Sequence, residues 1–195
     1  MKIVCLGDSL TYGYGVKRSE SWCRKLEEKL NATVVNKGIN GDTTSGMLAR
    51  FERDVLTEKP DILLLIGGTN DIFLSEKTDI AKNNIVAIVQ QSLSVGILPI
   101  IGAPTPMHEE LVEGKWKLYM ENTNIVDTLK QYHEWLNLYS ITYDVKLIDF
   151  YTEFCSDNIF QDKLKYYLDG IHLTGEGNSL IADIIYKKLG EFDIL

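Results

Sequence analysis

The chain has 195 residues, of which 45% are hydrophobic and 25% are charged, the composition of an ordinary soluble globular protein. This length is enough for one well-buried core, so we expect residues 1–195 to form a single domain. The net charge of −8 argues against nucleic acid or an anionic membrane as the principal partner.

The cysteines and the N-terminus indicate the compartment. Cys5, Cys23 and Cys155 are far apart and lack the CxxC spacing of a zinc site or a disulfide framework, so we expect reduced, buried thiols in a cytosol. The N-terminus runs straight into an apolar strand without a signal-peptide pattern, and no apolar run is long enough to cross a bilayer. The sequence therefore predicts a cytoplasmic protein without stable membrane insertion, unless a leader was removed.

Five predicted strands alternate with five predicted helices. The run 62–66 is apolar without alternation, as is typical of a parallel strand covered on both faces. Ser19 is the predicted N-cap of the first helix. The strands are predicted at 2–6, 33–36, 62–66, 97–101 and 145–150, and the helices at 19–30, 44–57, 79–95, 119–143 and 176–189.

This alternation predicts a parallel sheet with right-handed crossovers and helices on both faces. The predicted fold class is α/β, a three-layer α/β/α sandwich with a five-stranded parallel sheet of flavodoxin-like type. Because the carboxyl ends of all strands lie at one edge, the loops after the first three strands converge there. Those loops carry Ser9, Gly41 and Asn70, and the loop before the last helix carries Asp169 and His172.

These five residues have the functional groups that acyl transfer requires. Ser9 offers a hydroxyl nucleophile, and His172 offers an imidazole, a base that titrates near physiological pH. Asp169 is placed to accept the Nδ1–H of that imidazole. The main-chain N–H groups of Ser9 and Gly41 and the side-chain amide of Asn70 are candidate donors of an oxyanion hole.

Each of these residues also has an ordinary structural interpretation. Ser9 could be a turn or helix-capping serine, and Asn70 an Asx-turn residue. Gly41 could provide only a left-handed turn before a cap at Asp42 or Thr43, a role compatible with oxyanion donation.

Other acidic residues compete for the role of the catalytic acid. Asp8, beside Ser9, is expected to stabilise its loop through hydrogen bonds to main-chain N–H groups. Asp71 is expected to be structural. Asp162 is a rival of Asp169, but only Asp169 has the Asp-x-x-His spacing that places it on one short loop with His172.

Two other histidines compete with His172. His133 is expected to be a packed or surface residue of the long helix. His108 lies in the irregular segment 104–117, where it could line a substrate pocket, but we expect an exposed loop residue.

Loops 72–78 and 104–117 are expected to shape the pocket. Five residues in or near the second loop could form an apolar wall for an acyl group, or could be ordinary packing: Met107, Trp116, Leu118, Tyr119 and Met120. No metal or cofactor is predicted, because no His, Cys and carboxylate cluster has ligand spacing and no phosphate-binding glycine motif follows a strand.

Four short sequence blocks are each a weak match to a known family, but together and in this order they are a strong one. Gly7-Asp8-Ser9-Leu10, Gly41 in Asn-Gly-Asp-Thr, Gly68-Thr69-Asn70-Asp71 and Asp169-Gly170-Ile171-His172 resemble the blocks of the SGNH hydrolase, or GDSL esterase/lipase, superfamily. They cover the chain from residue 7 to residue 172. The resemblance implies an α/β/α serine esterase with Ser9, Gly41, Asn70 and His172 as signature residues and Asp169 as the third triad member.

We therefore predict a serine hydrolase that cleaves small carboxylic esters without a cofactor. Short-chain acyl or acetyl groups are expected, since nothing in the sequence resembles an amphipathic lid for long-chain lipid. The alternatives are a carbohydrate O-deacetylase or acyltransferase, a lysophospholipase or a thioesterase with the same triad. Outside enzymes, the alternative is a module that binds a small ligand without turnover.

Overall fold

The centre of the structure, a computed structural model, is a five-stranded parallel sheet. The structure describes residues 1–120 and 123–195, except for the side chains of residues 115, 116, 119 and 160. The strands are β1 Lys2–Gly7, β2 Thr33–Gly38, β3 Ile62–Ile66, β4 Leu98–Ala103 and β5 Lys146–Asp149. The predicted strands are confirmed, with ends that differ by no more than about two residues.

Short and long helices connect these strands. The helices are α1 Ser9–Tyr12, α2 Trp22–Leu30, α3 Thr44–Ala49, α4 Phe51–Asp54, α5 Thr69–Ser75, α6 Asp79–Ser94, α7 Gly114–Met120, α8 Ile125–Tyr143, α9 Phe150–Phe154, α10 Asp157–Gln161, α11 Lys163–Tyr166 and α12 Gly175–Glu191. Turns of 3₁₀ helix lie at Arg18–Glu20, Leu56–Glu58 and Glu109–Leu111.

Helices cover both faces of the sheet. Successive residues of a strand point to opposite faces, so β1 contributes Val4 and Leu6 to one core and Ile3 and Cys5 to the other. The first core packs against α3, α4, α6 and α8, and the second packs against α2 and α12. The predicted three-layer α/β/α sandwich is therefore confirmed.

The strand order locates the place where a ligand is expected. The order β2-β1-β3-β4-β5 is the flavodoxin-like one, in which the chain proceeds outward in one direction from β1 and in the other from β3. In such sheets, ligands bind beyond the carboxyl ends of the strands at this reversal. Here Ser9 follows β1 and Asn70 follows β3, so both residues lie at the reversal.

Three predicted helix boundaries are wrong. Ser19 belongs to a 3₁₀ turn, and the N-cap of α2 is Ser21, whose hydroxyl oxygen accepts from Arg24 N–H. The predicted helix 44–57 is divided because Arg50, with φ −103° and ψ 6°, leaves the helical conformation. The predicted helix 119–143 begins at Ile125, after the separate helix α7, and residues 121 and 122 between them lie outside the described part of the chain.

Other expectations can be compared with the structure directly. Cys5 and Cys23 are buried, as expected, whereas Cys155 is exposed because it follows the last residue of α9 at the surface. His133 is packed, with its ring stacked on Tyr151 and its Nε2 2.9 Å from a carboxylate oxygen of Asp149. Of the helices in residues 1–120 and 123–195, none has both the length and the apolar character needed to cross a bilayer.

Candidate active site

Ser9 lies at the carboxyl end of β1, as the first residue of the short helix α1. Asp8 is the N-cap of this helix, and its Oδ1 accepts a hydrogen bond from Leu10 N–H at 2.9 Å. This contact is the loop-stabilising role expected of Asp8. Ser9 itself lines a cavity.

A chain of hydrogen bonds runs from Ser9 to Asp169. Ser9 Oγ is 3.1 Å from His172 Nε2, and His172 Nδ1 is 2.8 Å from Asp169 Oδ2. A carboxylate can only accept, so Nδ1 carries the proton and Nε2 presents its lone pair to the Ser9 hydroxyl. This geometry allows the imidazole to take the proton of Ser9. Asp162, the rival acid, does not take part in these contacts.

The loop from Asp169 to His172 holds its own carboxylate in place. Asp169 Oδ1 accepts from Ile171 N–H at 3.0 Å and from His172 N–H at 2.7 Å. Burial raises the pKa of Asp169, but the hydrogen bonds from the His172 side chain and from the two main-chain N–H groups outweigh it and leave the pKa below its ordinary value. The carboxylate therefore stays ionised at neutral pH.

Segment 104–112 packs against this loop. The expectation that His108 in this segment is exposed is wrong. His108 is 5% exposed rather than on the surface, and its ring packs nearly perpendicular to that of Tyr167, with 4.7 Å between the ring centroids. Its main-chain N–H donates to Gly170 oxygen at 2.9 Å. Gly170 has φ +82°, and a Cβ there would lie 2.3 Å from His108 oxygen, so this close contact requires glycine. Burial also lowers the pKa of His108.

Two further predicted residues lie at the same cavity. Gly41 has φ +75°, and the space where a Cβ would project is open, so a ligand can approach its main chain. The Asn70 amide nitrogen donates to Asp42 oxygen at 2.9 Å, which uses one of its two N–H bonds. Asp71 is structural as expected, since its carboxylate accepts from the N–H and the hydroxyl of Thr44.

The cavity has a volume of about 620 Å³ and brings together all five predicted site residues. Its polar lining comes from Ser9, Gly41, Asn70, Asp169 and His172, together with Asp8, Asn40 and Thr69. Its apolar lining comes from Leu10, Tyr14, Phe73, Leu74 and Ile171. Tyr14, which no sequence signal singled out, also packs its ring 4.3 Å from the His172 ring.

Of the two alternatives for the apolar residues in and near loop 104–117, a cavity wall or ordinary packing, the described side chains show packing. Met107 and Met120 are buried in the core and do not line the cavity. Leu118 is exposed and is not part of the cavity lining. The side chains of Trp116 and Tyr119 lie outside the described residues. Loop 72–78, in contrast, contributes Phe73 and Leu74 through α5.

Burial of Asp8 predicts a dependence of stability on pH. Desolvation raises the pKa of Asp8 to about 7, and the Leu10 N–H and the nearby His172 oppose this only in part. The folded protein therefore binds this proton more tightly than the unfolded chain does. The resulting stabilisation is complete below about pH 4 and is lost as the pH rises to about 7.

The variant Asp8→Asn cannot ionise but keeps an oxygen that can accept from Leu10 N–H. We expect its free energy of unfolding, relative to that of the parent protein, to increase between about pH 5 and about pH 8. Urea denaturation of both proteins at the two pH values measures this difference. A difference that does not change with pH contradicts the burial of an ionisable Asp8.

The described residues hold no group of three or more His, Cys, Asp and Glu side chains arranged to bind a metal ion.

Comparison with known proteins shows to which family this chain belongs. The model of the GDSL-like Lipase/Acylhydrolase family matches residues 5–180. The thioesterase 1/protease 1/lysophospholipase L1 of Escherichia coli (strain K12) is 26% identical over 194 residues, which cover 96% of this chain and 82% of that protein. The family model covers most of the chain, so the chain belongs to the GDSL-like Lipase/Acylhydrolase family.

Two further matches extend this comparison. The lipoprotein YqeF of Bacillus subtilis (strain 168) is 32% identical over 131 residues, 60% of this chain and 52% of YqeF. A member of the lipolytic protein G-D-S-L family from Veillonella parvula DSM 2008 shares the fold, with a TM-score of 0.78, 24% identity and coverage of 96% of this chain and 97% of that one. The chain spans about half or less of the length of the first curated relatives it matches.

Proposed function

We propose that this protein hydrolyses short-chain carboxylic esters through a covalent acyl-enzyme on Ser9. His172 Nε2 takes the proton of the Ser9 hydroxyl as the oxygen attacks the ester carbonyl. Asp169 orients the imidazole and stabilises its charged form. His172 then protonates the leaving alcohol, and water releases the acyl group by the same route. The observation that carries this proposal is the Ser9–His172–Asp169 chain, with distances of 3.1 and 2.8 Å, at the cavity.

The oxyanion is proposed to be bound by three donors. They are the main-chain N–H groups of Ser9 and Gly41 and the amide of Asn70. Such donors stabilise the charge that develops in the transition state, at little cost in reorganisation. Support comes from the open approach to Gly41 and from the contact of the Asn70 amide with Asp42 oxygen, which fixes its position.

The first test is the site of covalent labelling. A fluorophosphonate should add one equivalent to the parent protein, seen by intact mass, and the labelled peptide should contain Ser9. Turnover of p-nitrophenyl acetate should fall in proportion to labelling. A label on another residue, or full labelling with undiminished turnover, contradicts the proposal.

The shape of the cavity supports a short acyl group. The apolar wall beside Ser9 is made by five side chains, and two of them, Tyr14 and Leu74, are 47% and 76% exposed. A long chain would therefore extend past this wall into water and gain little from burial. Esters of one alcohol from acetyl to palmitoyl should show the highest kcat/KM among the shortest acyl groups. A maximum at long chains would contradict this assignment.

Replacement of Asn70 by alanine is expected to lower kcat by about 10²–10³-fold, because one oxyanion donor is lost. Steady-state kinetics with p-nitrophenyl acetate measures this. Asn40→Ala is a matched control, since Asn40 also lines the cavity but is not proposed as a donor. Equal losses in the two variants would mean that the Asn70 amide has no special role.

A second candidate function is hydrolysis of thioesters. It is favoured by the Escherichia coli relative, which is named a thioesterase and aligns over 96% of this chain. The same nucleophile and donors serve a thioester, and only the leaving group differs. Release of free thiol from acetyl and longer acyl-coenzyme A substrates, compared with p-nitrophenyl esters, decides which bond is preferred.

The remaining expectations from the sequence belong to this proposal. They are a single hydrolase domain over residues 1–195, a cytoplasmic location, and no partnership with nucleic acid or insertion into a membrane. Limited proteolysis should leave one resistant fragment of nearly full length, and fractionation of cells should recover the protein with the cytoplasm. The relative YqeF is named a lipoprotein, and recovery of this protein with the membranes would contradict the predicted cytoplasmic location.

A further inference from the structure

Arg50 is a buried arginine between α3 and α4, with 7% of its surface exposed. Its guanidinium donates to four acceptors at the distances of charged hydrogen bonds. The acceptors are Asp42 Oδ2, Asp54 Oδ2 and the main-chain oxygen of Lys37, each at 2.8 Å, and the main-chain oxygen of Gly7 at 3.0 Å.

These contacts join the carboxyl ends of two strands. Gly7 is the last residue of β1 and is followed by Asp8 and Ser9, and Lys37 lies near the end of β2. Asp42 directly follows Gly41 in the loop after β2. The planar guanidinium, with its donors in a rigid fork, suits such a link better than a single ammonium does. Arg50 therefore connects the two loops whose main-chain N–H groups are the proposed oxyanion donors.

Asp42 is held from a second side as well. Its main-chain oxygen accepts from the Asn70 amide at 2.9 Å, while its carboxylate accepts from Arg50 at 2.8 Å. Its main-chain N–H donates to Ile39 oxygen at 3.1 Å, which closes the turn around Gly41. The position of Gly41 and the position of the Asn70 amide are thus coupled through one residue that Arg50 anchors.

We propose that Arg50 is a positioning residue that aligns the donors of the oxyanion hole. This inference rests on the function proposed above. Oxyanion donors act only when they lie about 2.7–3.1 Å from the charged oxygen, and a misplacement of about 1 Å can cost about 10²-fold in rate. Because the oxyanion forms only along the reaction, misaligned donors lower kcat and leave KM nearly unchanged.

The neighbouring Arg53 is a matched control. Its guanidinium also donates to the carboxylate of Asp54, at 2.8 and 2.9 Å, but its side chain is 71% exposed and its hydrogen bonds to Asp54 do not involve the loops of the site. Arg53→Met therefore removes a similar charge and a similar ion pair without disturbing the loops of the site.

Two substitutions of Arg50 test the proposal. Arg50→Lys keeps the charge next to Asp42 and Asp54 but cannot reach all four acceptors, and Arg50→Met removes the charge. We expect kcat on p-nitrophenyl acetate to fall by about 10- to 100-fold in both, with KM within about threefold of the parent value and with Arg53→Met unchanged. Circular dichroism confirms folding, and the lysine variant alone suffices if the methionine variant does not fold.

A double-mutant cycle separates positioning from general support of the fold. If Arg50 acts through the oxyanion hole, then Arg50→Lys should lower kcat by a smaller factor when Asn70 is already alanine, because only the two main-chain donors are then left to be misaligned. The two losses should therefore combine to less than their product. Losses that multiply fully, or a folded Arg50→Lys protein with kcat within twofold of the parent, overturn the proposal. Failure of Ser9 to be labelled would instead overturn the proposed function, so the two failures are distinguishable.

Discussion

Ser9→Ala is expected to lower kcat on p-nitrophenyl acetate by about 10⁶-fold and to abolish the fluorophosphonate adduct. The hydroxyl is the only group of the proposed triad that forms a bond to the substrate, so its loss removes the acyl-enzyme rather than slowing it. Residual hydrolysis would come from the oxyanion donors and from binding. Intact mass after fluorophosphonate treatment measures the adduct independently of turnover.

Ser19→Ala provides the control for this substitution. Ser19 is exposed in the 3₁₀ turn and lies outside the lining of the cavity. Its removal should leave both turnover and labelling at the level of the parent protein. Undiminished ester hydrolysis by Ser9→Ala would show that another group is the nucleophile, even with the fold unchanged.

Asp169→Asn is expected to lower kcat by about 10⁴-fold with the fold intact. The amide can present a donor to His172 Nδ1, which then favours the tautomer whose Nε2 carries the proton and cannot accept from Ser9. Asparagine keeps the size of the side chain and an oxygen for the N–H groups of Ile171 and His172. The loop should therefore remain in place, and the loss should appear in turnover rather than in stability.

The matching substitution of the other acid in the site should behave differently. Asp8 is adjacent to Ser9, but its Oδ1 contacts Leu10 N–H, and no hydrogen bond to His172 is found. Asp8→Asn should reduce turnover by less than about tenfold and act mainly on the loop and on the pH dependence of stability. Comparison of kcat and urea denaturation for the two variants makes the distinction. The reverse pattern would assign the catalytic acid to Asp8.

The strands and the convergence of the site loops could be predicted because they depend on local patterns. Runs such as 62–66 are apolar at every position, which indicates a strand buried on both faces. Once the strands are parallel, their carboxyl ends share one edge, and Ser9, Gly41 and Asn70 follow three of those ends. The Asp-x-x-His spacing placed Asp169 beside His172 in the same way, since both lie on one short loop.

The predictions that were wrong concern residues whose local structure depends on a contact with a distant part of the chain. Residues 44–57 have the apolar spacing of one helix, but the contacts of Arg50 with Gly7 and Lys37 turn its side chain inward, and its backbone conformation divides that helix. His108 is polar and lies in an irregular segment, so exposure was the natural expectation. Its burial follows from its contact with Gly170, about 60 residues later in the chain.

The α/β/α class, the family and the residues at one edge of the sheet could be predicted, because strand burial and short-range spacing are properties of neighbouring residues. The distances between those residues, and the partners that hold them, depend on the folded chain. Arg50 links two loops, and segment 104–112 supports the Asp169 loop, through contacts between residues that are far apart in the chain. A sequence pattern does not specify such contacts, since they exist only once the strands are paired and the helices are packed.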